Sequence, residues 1–166
     1  MTAALLIIDV QNDYFPGGAL PLWNAEATLD AAVNAIDRAR ARGEAVVLVQ
    51  HVAASADSPL FQAGTTGVGI HARILAAAPD APVIVKQYAD SFHQTRLSGV
   101  LADLGVTRLR IAGMMTQNCV VFTALSPAAD RYEVSVLSDC TTTTDRTIHG
   151  FALHALTTRV AVRPDA

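Results

Sequence analysis

The sequence is poor in several features that would each indicate a specialised class of protein. It has 166 residues, of which two are cysteines, and aromatic residues make up only 5% of the chain. The formal net charge of −3 gives no electrostatic footprint for nucleic acid. Apolar runs stay shorter than a membrane span, and there is no internal repeat or low-complexity tract. We therefore expect a protein that binds neither nucleic acid nor a membrane.

The remaining composition is that of an ordinary globular domain. Hydrophobic residues make up 51% of the sequence, and its length suits one domain, 1–166, with a substantial core. The first residues lack the basic region and long apolar core of a signal peptide. We therefore expect a cytoplasmic protein in which Cys119 and Cys140 are both free thiols.

Predicted strands and helices alternate along the chain. The continuous apolar run at 4–10 predicts a strand buried on both faces, which is typical of a parallel sheet covered by helices. Further strands are predicted at 45–49, 82–85, 109–112, 133–137 and 159–162, and helices at 24–42, 70–77, 92–104, from 116 onward and at 145–156. Asn24 is a predicted helix cap, and Pro127 is expected to kink or shorten the helix after 116. This alternation predicts an α/β domain with a mostly parallel sheet.

Three reactive side chains follow three of the predicted strands. Asp9, Lys86 and the turn before Cys119 all lie at carboxyl ends, where parallel sheets bind their ligands. Taken singly, each residue has a structural explanation: a carboxylate that caps a loop, a solvated lysine, a packed cysteine. Together they predict a shared site for nucleophilic chemistry.

The segment at 111–121 places the cysteine. It reads IAGMMTQNCVV and is predicted to leave a buried strand through Gly113 and to become a helix near Thr116. Cys119 then falls in the first helical turn, where the helix dipole and free backbone N–H groups favour a thiolate. Thr116 is a predicted N-cap that accepts the N–H of Cys119. The alternative is a small buried cysteine in a core helix.

Three motifs resemble the isochorismatase-like cysteine hydrolases, the superfamily that includes the nicotinamidases. They are LLIIDVQNDYF at 5–15, VIVK at 83–86 with SF at 91–92, and GMMTQNCV at 113–120, in the family's order. The resemblance extends over essentially the whole chain. It implies a three-layer α/β/α sandwich whose six-stranded, mostly parallel sheet has the order 3-2-1-4-5-6. It also implies a small-molecule substrate and a homo-oligomer, dimeric or larger.

The resemblance also implies a catalytic triad of Asp9, Lys86 and Cys119. Cys119 would attack a carbonyl carbon and form a thioester, Asp9 would move the protons, and Lys86 would supply positive charge. Backbone N–H groups of Met115 and Cys119 would form the oxyanion hole, and a cis peptide bond would join Met114 to Met115. The implied activity is hydrolysis of a small-molecule amide at a non-peptide C–N bond.

The sequence departs from the nicotinamidases at their metal site, which contains an Asp-x-His pair and further histidines. Here the corresponding segment is Val49-Gln50-His51, and the next histidine is His71. We therefore expect no metal and no other cofactor. Because the nicotinamidases use their metal to bind the pyridine nitrogen, this departure argues against nicotinamide as the substrate. His51 could instead donate to substrate or to a backbone carbonyl.

The residues predicted to face the substrate include no arginine that could clamp a carboxylate. They are Phe15, Gln50, His51, Tyr88, Phe92, Gln117 and Asn118. This set favours a small amide, linear or cyclic, that is neutral or weakly polar.

Three other functions compete with amide hydrolysis. Hydrolysis of a vinyl ether such as that of isochorismate needs an acid rather than a nucleophile, so Cys119 favours the amidase. A flavodoxin-like binding or regulatory domain would leave Lys86 and Cys119 unexplained, and the sequence has no glycine-rich phosphate loop. A redox role for the two cysteines has no C-x-x-C motif to support it.

Overall fold

A six-stranded parallel sheet forms the centre of the computed structural model, which describes residues 2–165. The strands are β1 (Thr2–Ile8), β2 (Ala45–His51), β3 (Val83–Lys86), β4 (Val106–Met114), β5 (Glu133–Thr142) and β6 (Ala161–Arg163). Their order in the sheet is β3-β2-β1-β4-β5-β6, and every neighbouring pair is parallel. The predicted fold class and strand order are therefore confirmed.

In the described part of the chain, five α-helices cover the two faces of the sheet. They are α1 (Ala25–Ala41), α2 (Ala72–Ala77), α3 (Leu97–Asp103), α4 (Val121–Ala124) and α5 (Arg146–Leu156). Between residues 2 and 165 the other regular elements are two 3-10 turns, Asn12–Tyr14 and Pro127–Arg131, and one π-helical turn, Thr116–Val120. Within the described residues, no helix combines the length and the apolar character needed to cross a membrane.

The central strand β1 shows why the molecule has three layers. Leu5 and Ile7 pack in one apolar cluster with α1 and α2, whereas Leu6 and Ile8 pack in the other with α3, α4 and α5. Successive side chains of a strand point to opposite faces, so this apolar run requires a cover on both sides. All four side chains are almost completely buried, which confirms the prediction from the apolar run.

Some element boundaries differ from those predicted. Asn24 has a left-handed backbone (φ 57°) and its side chain makes no capping hydrogen bond, so its predicted role is wrong. Helix α3 begins at Leu97 rather than 92. The expected effect of Pro127 is confirmed, because α4 ends at Ala124 and Pro127 opens the next turn, where Ser126 accepts the N–H of Ala128.

Candidate active site

Three strand ends bring Asp9, Lys86 and Cys119 together. Asp9 follows β1, Lys86 ends β3, and Cys119 lies in the π-helical turn after β4. The Lys86 ammonium is 2.8 Å from Asp9 Oδ2 and 3.3 Å from Cys119 Sγ. Both side chains of the ion pair are 0% exposed, and Cys119 is 3% exposed. The buried ammonium therefore connects a carboxylate and a thiol in a space without bulk water.

Close contact between β1 and β4 sets the position of the cysteine. Gly113 has φ 125°, and a Cβ added there would lie 2.0 Å from the carbonyl oxygen of Ile8. Any side chain at this position would separate the two strands. The peptide bond between Met114 and Met115 is cis. The chain then enters the turn that carries Cys119, directly beside Asp9.

The turn around Cys119 is capped by backbone rather than by a side chain. The carbonyl of Met115 accepts hydrogen bonds from the N–H groups of Asn118 (3.1 Å) and Val120 (3.3 Å). The predicted N-cap role of Thr116 is wrong, because the turn already begins there and Met115 is the capping residue. The buried Thr116 hydroxyl instead lies 2.9 Å from Nδ1 of His149 on α5. Helix α5 thus fixes the turn from outside.

The electrostatics of the cysteine differ from the expectation of a stabilised thiolate. Burial raises the pKa of Cys119, Asp9 raises it further, and Lys86 only partly opposes them. A single turn provides little dipole to offset this desolvation. For Lys86, burial lowers the pKa, but the charges of Asp9 and Cys119 outweigh it and the net shift is upward. The site at rest therefore holds a thiol beside a permanent ammonium ion.

The Asp9 carboxylate keeps capacity to accept a proton. Within residues 2–165 its partners are the Lys86 ammonium and the Cys119 thiol, and no backbone N–H donates to its oxygens. It lies close enough to raise the pKa of Cys119. A carboxylate in this position can act as a base toward the thiol.

A fourth side chain, His51 at the end of β2, joins this group. Ligand atoms of Asp9, His51 and Cys119 all lie within 4.8 Å of one another, a spacing compatible with a metal ion. However, Lys86 Nζ is 2.8 Å from Asp9, 3.1 Å from His51 Nδ1 and 3.3 Å from Cys119. The ammonium thus occupies the position between these three side chains that a metal ion would need, and the residues as arranged do not fit a metal ion. The absence of a metal remains a prediction.

The other residues predicted to face the substrate fall into two groups. Tyr88 contributes its carbonyl oxygen, 3.0 Å from Lys86 Nζ, while its ring lies exposed against His93. Gln117 and Asn118 are half-buried in the turn of the cysteine, and the Gln117 amide oxygen is buried without a hydrogen-bond partner in the described part of the chain. These three residues lie next to the reactive groups in space or in sequence.

Phe15, Gln50 and Phe92 are engaged elsewhere in the fold. Phe15 is buried with its ring 4.6 Å from that of His71, and Gln50 donates to the carbonyl of Val68. Phe92 is buried in the same apolar cluster as Cys119, with its ring stacked on Tyr132 at 6.2 Å. In this structure all three therefore have packing or loop-holding contacts.

Two polar residues, Gln11 and Asp13, organise the loop over the site; the sequence suggested for Asp13 only an acidic pair with Asp9 in a flavodoxin-like domain, and no role for Gln11. The Gln11 amide accepts the N–H of His51 (2.8 Å) and donates to the carbonyls of His51 (2.9 Å) and Val68 (2.7 Å). Asp13 accepts the N–H of Phe61 (2.7 Å), whose ring lies 5.6 Å from the imidazole of His51. Both residues lie in the motif at 5–15, but nothing in the sequence indicates which distant backbone groups they bind.

Comparison with known proteins shows which families and structures this chain is similar to. The isochorismatase domain model matches residues 3–163. An uncharacterized isochorismatase family protein of Bacillus subtilis, YddQ, is 39% identical over 145 residues, which cover 87% of this chain and 80% of that protein. The nicotinamidase of Escherichia coli is 28% identical over an alignment of 172 positions, which covers 82% of this chain and 81% of the enzyme. An isochorismatase family protein from Desulfovibrio vulgaris superposes with a TM-score of 0.89 at 28% identity, covering 98% and 94% of the two chains.

Proposed function

This chain belongs to the isochorismatase family of hydrolases, and we propose that it hydrolyses a small-molecule amide through a thioester on Cys119. The feature that supports this reaction most is the buried ammonium of Lys86, in contact with both Asp9 and Cys119. A similar nicotinamidase, whose name states an amide substrate, makes a C–N bond the first choice for the bond that is cleaved.

Acylation begins when Asp9 takes the proton of the Cys119 thiol as sulfur bonds to the carbonyl carbon. The carbonyl electron pair moves to oxygen, where the backbone N–H groups of Met115 and Cys119 are the proposed donors. When this pair returns, the C–N bond breaks, and Asp9 gives its proton to the leaving nitrogen. The amine departs and leaves a thioester.

Deacylation uses the same groups in a second cycle. Asp9 takes a proton from a water molecule as its oxygen attacks the thioester carbon. The C–S bond then breaks, and Asp9 returns the proton to sulfur. The net reaction converts an amide and water into a carboxylic acid and an amine. Throughout, Lys86 stabilises negative charge on whichever partner carries it, Asp9 or Cys119.

The test uses a panel of small amides with amine release as the signal. Cys119→Ala should lose activity by roughly a thousandfold or more, since the nucleophile is absent. Cys140→Ala is the matched control. This second buried cysteine lies beside Asp139 and packs in the apolar cluster on the other face of the sheet from Cys119. Mass spectrometry of acid-quenched wild-type protein should show an acyl group on Cys119. An active Cys119→Ala enzyme would exclude the thioester and favour a route that needs only an acid.

A further inference from the structure

His51 connects the buried reactive groups with space that solvent can reach. Its Nδ1 lies 3.1 Å from Lys86 Nζ. The other ring nitrogen, Nε2, has no hydrogen-bond partner within residues 2–165 and is not among the unpartnered atoms buried from solvent. The residue as a whole is half-buried. One edge of the imidazole therefore belongs to the catalytic group, and the other edge is available to a ligand.

The contact with Lys86 determines which nitrogen carries hydrogen. An ammonium only donates, so Nδ1 must accept with its lone pair, and the hydrogen of the neutral ring is on Nε2. Burial and then Lys86 lower the pKa of His51, while Asp9 opposes them, so the ring is neutral at pH 7. Gln11 holds the His51 backbone on both sides, and Phe61 packs against the ring. Orientation and tautomer are thus both fixed.

The same contact makes the Nε2–H group a strong donor. Lys86 shares its three hydrogens among four neighbouring acceptors, of which His51 is one; the others are Asp9, the Tyr88 carbonyl and Cys119. By accepting a hydrogen bond from a cation, the imidazole ring loses electron density, which strengthens donation from its opposite side. Tyr14 packs on the other side of this group through Phe61 and stays a neutral phenol, because burial and Asp9 raise its pKa.

Building on the proposed function, we propose that His51 is a specificity-determining residue whose Nε2–H binds a second hydrogen-bond acceptor of the substrate. The preferred substrates are then amides that carry an ether, carbonyl or similar acceptor a few bonds from the scissile carbonyl. This short separation follows because a ring nitrogen of His51 lies within 4.8 Å of ligand atoms of both Asp9 and Cys119, and Nε2 belongs to the same five-membered ring. An amide without the acceptor leaves the N–H unpaired, which should weaken binding by roughly fivefold to tenfold.

The experiment compares four ligands of one shape in a Cys119→Ala background, where they are not consumed. They are cyclohexanecarboxamide and the three tetrahydropyrancarboxamides, which place an ether oxygen at each position around the same ring. Calorimetric titration should show that at least one oxygen analogue binds roughly fivefold more tightly than cyclohexanecarboxamide. Equal affinity for all four ligands, or no measurable binding by any oxygen analogue, would overturn the proposal.

Three substitutions of His51 separate donation from packing. His51→Leu should abolish the preference for oxygen. His51→Gln should keep part of it, because its amide nitrogen can reach the position of Nε2. His51→Asn should lose it, because its shorter amide ends near Nδ1, where it can still accept from Lys86. If all three variants change the affinity of all four ligands alike, or if His51→Leu retains the preference, His51 has only a packing role.

Amine release by wild-type protein is measured separately on the same four amides. A preference for oxygen without any hydrolysis would keep the binding role of His51 and remove the proposed function. Hydrolysis without a preference would keep the function and remove the role of His51.

Discussion

Cys119 rests as a thiol because the burial that protects it from water also raises its pKa. The location of the three reactive residues could be predicted from the sequence, since each follows a strand whose carboxyl end is recognisable. The protonation state of the cysteine could not, because desolvation depends on the side chains that pack around it. In the proposed reaction the thiol proton therefore leaves during the attack on the carbonyl, when Asp9 accepts it.

At this scale, Asp9→Asn should lower the pKa of Cys119 while it abolishes amide hydrolysis. The substitution removes a charge that raises the pKa of Cys119 and leaves Lys86 alone beside the sulfur, so we expect that pKa to fall. Ultraviolet absorbance of the thiolate, followed against pH in a Cys140→Ala background, measures it. Asp139→Asn, beside position 140, is the control. An unchanged or higher pKa in Asp9→Asn would contradict this assignment of charges.

At the scale of elements, a side-chain contact joins the π-helical turn to the helix α5 that packs against it. His149 Nδ1 lies 2.9 Å from the Thr116 hydroxyl, and its ring packs 5.7 Å from that of Trp23. The sequence indicated both elements but not this link, because α5 is far from the turn along the chain. Likewise β5 continues to Thr142, although its apolar run ends at Leu137, since neighbouring strand β4 pairs with the polar residues that follow.

Burial lowers the pKa of His149, which gives the fold a dependence on pH. The unfolded chain then binds a proton at higher pH than the folded chain, so the free energy of unfolding should fall as pH drops below the ordinary histidine value of about 6.5. His51 and His71 shift in the same direction. Urea unfolding should therefore show a smaller loss of stability between pH 7 and pH 5 for His149→Asn, which does not titrate.

The control for this prediction is His154→Asn, an exposed position on the same helix. His149→Asn also keeps a side-chain amide that can pair with the Thr116 hydroxyl, so the two variants differ mainly in the burial of the replaced ring. An identical pH dependence in wild type and His149→Asn would contradict the assignment to His149.

At the scale of the whole molecule, Asp165 ties distant parts of the chain together. Its carboxylate pairs with Arg38 on α1 and Arg110 on β4, and its backbone N–H donates to Asp139 on β5 at 2.9 Å. The Asp165 side chain is 1% exposed, whereas the Asp130–Arg159 pair is more than half exposed. Asp165→Ala should therefore reduce the free energy of unfolding by about 1.5–3 kcal/mol.

Asp130→Ala is the matched control and should cost less than about 1 kcal/mol, because solvent screens an exposed ion pair. Both values come from chemical denaturation at pH 7. A loss for Asp165→Ala no greater than that for Asp130→Ala would mean that this buried cluster does not stabilise the fold.

The chain's assembly and location stay predictions. Several large apolar side chains on α4 and α5 are exposed, namely Phe122, Ile148 and Phe151. They are compatible with the expected homo-oligomer. The sequence could predict the sheet because continuous apolar runs require cover on both faces. It could not predict how Gln11 and Asp13 hold the loop at 52–69, since those contacts join positions far apart in the chain.

Lys86 is the only lysine in the sequence, and its side chain is fully buried. The folded surface therefore presents no lysine amine, and its permanent positive charges belong to arginine. Reagents that acylate or cross-link lysine should leave this side chain untouched while the fold is intact. The rate at which Lys86 is covalently labelled would consequently measure the rate at which the folded molecule opens, because a reagent can reach this amine only when the fold around it has opened.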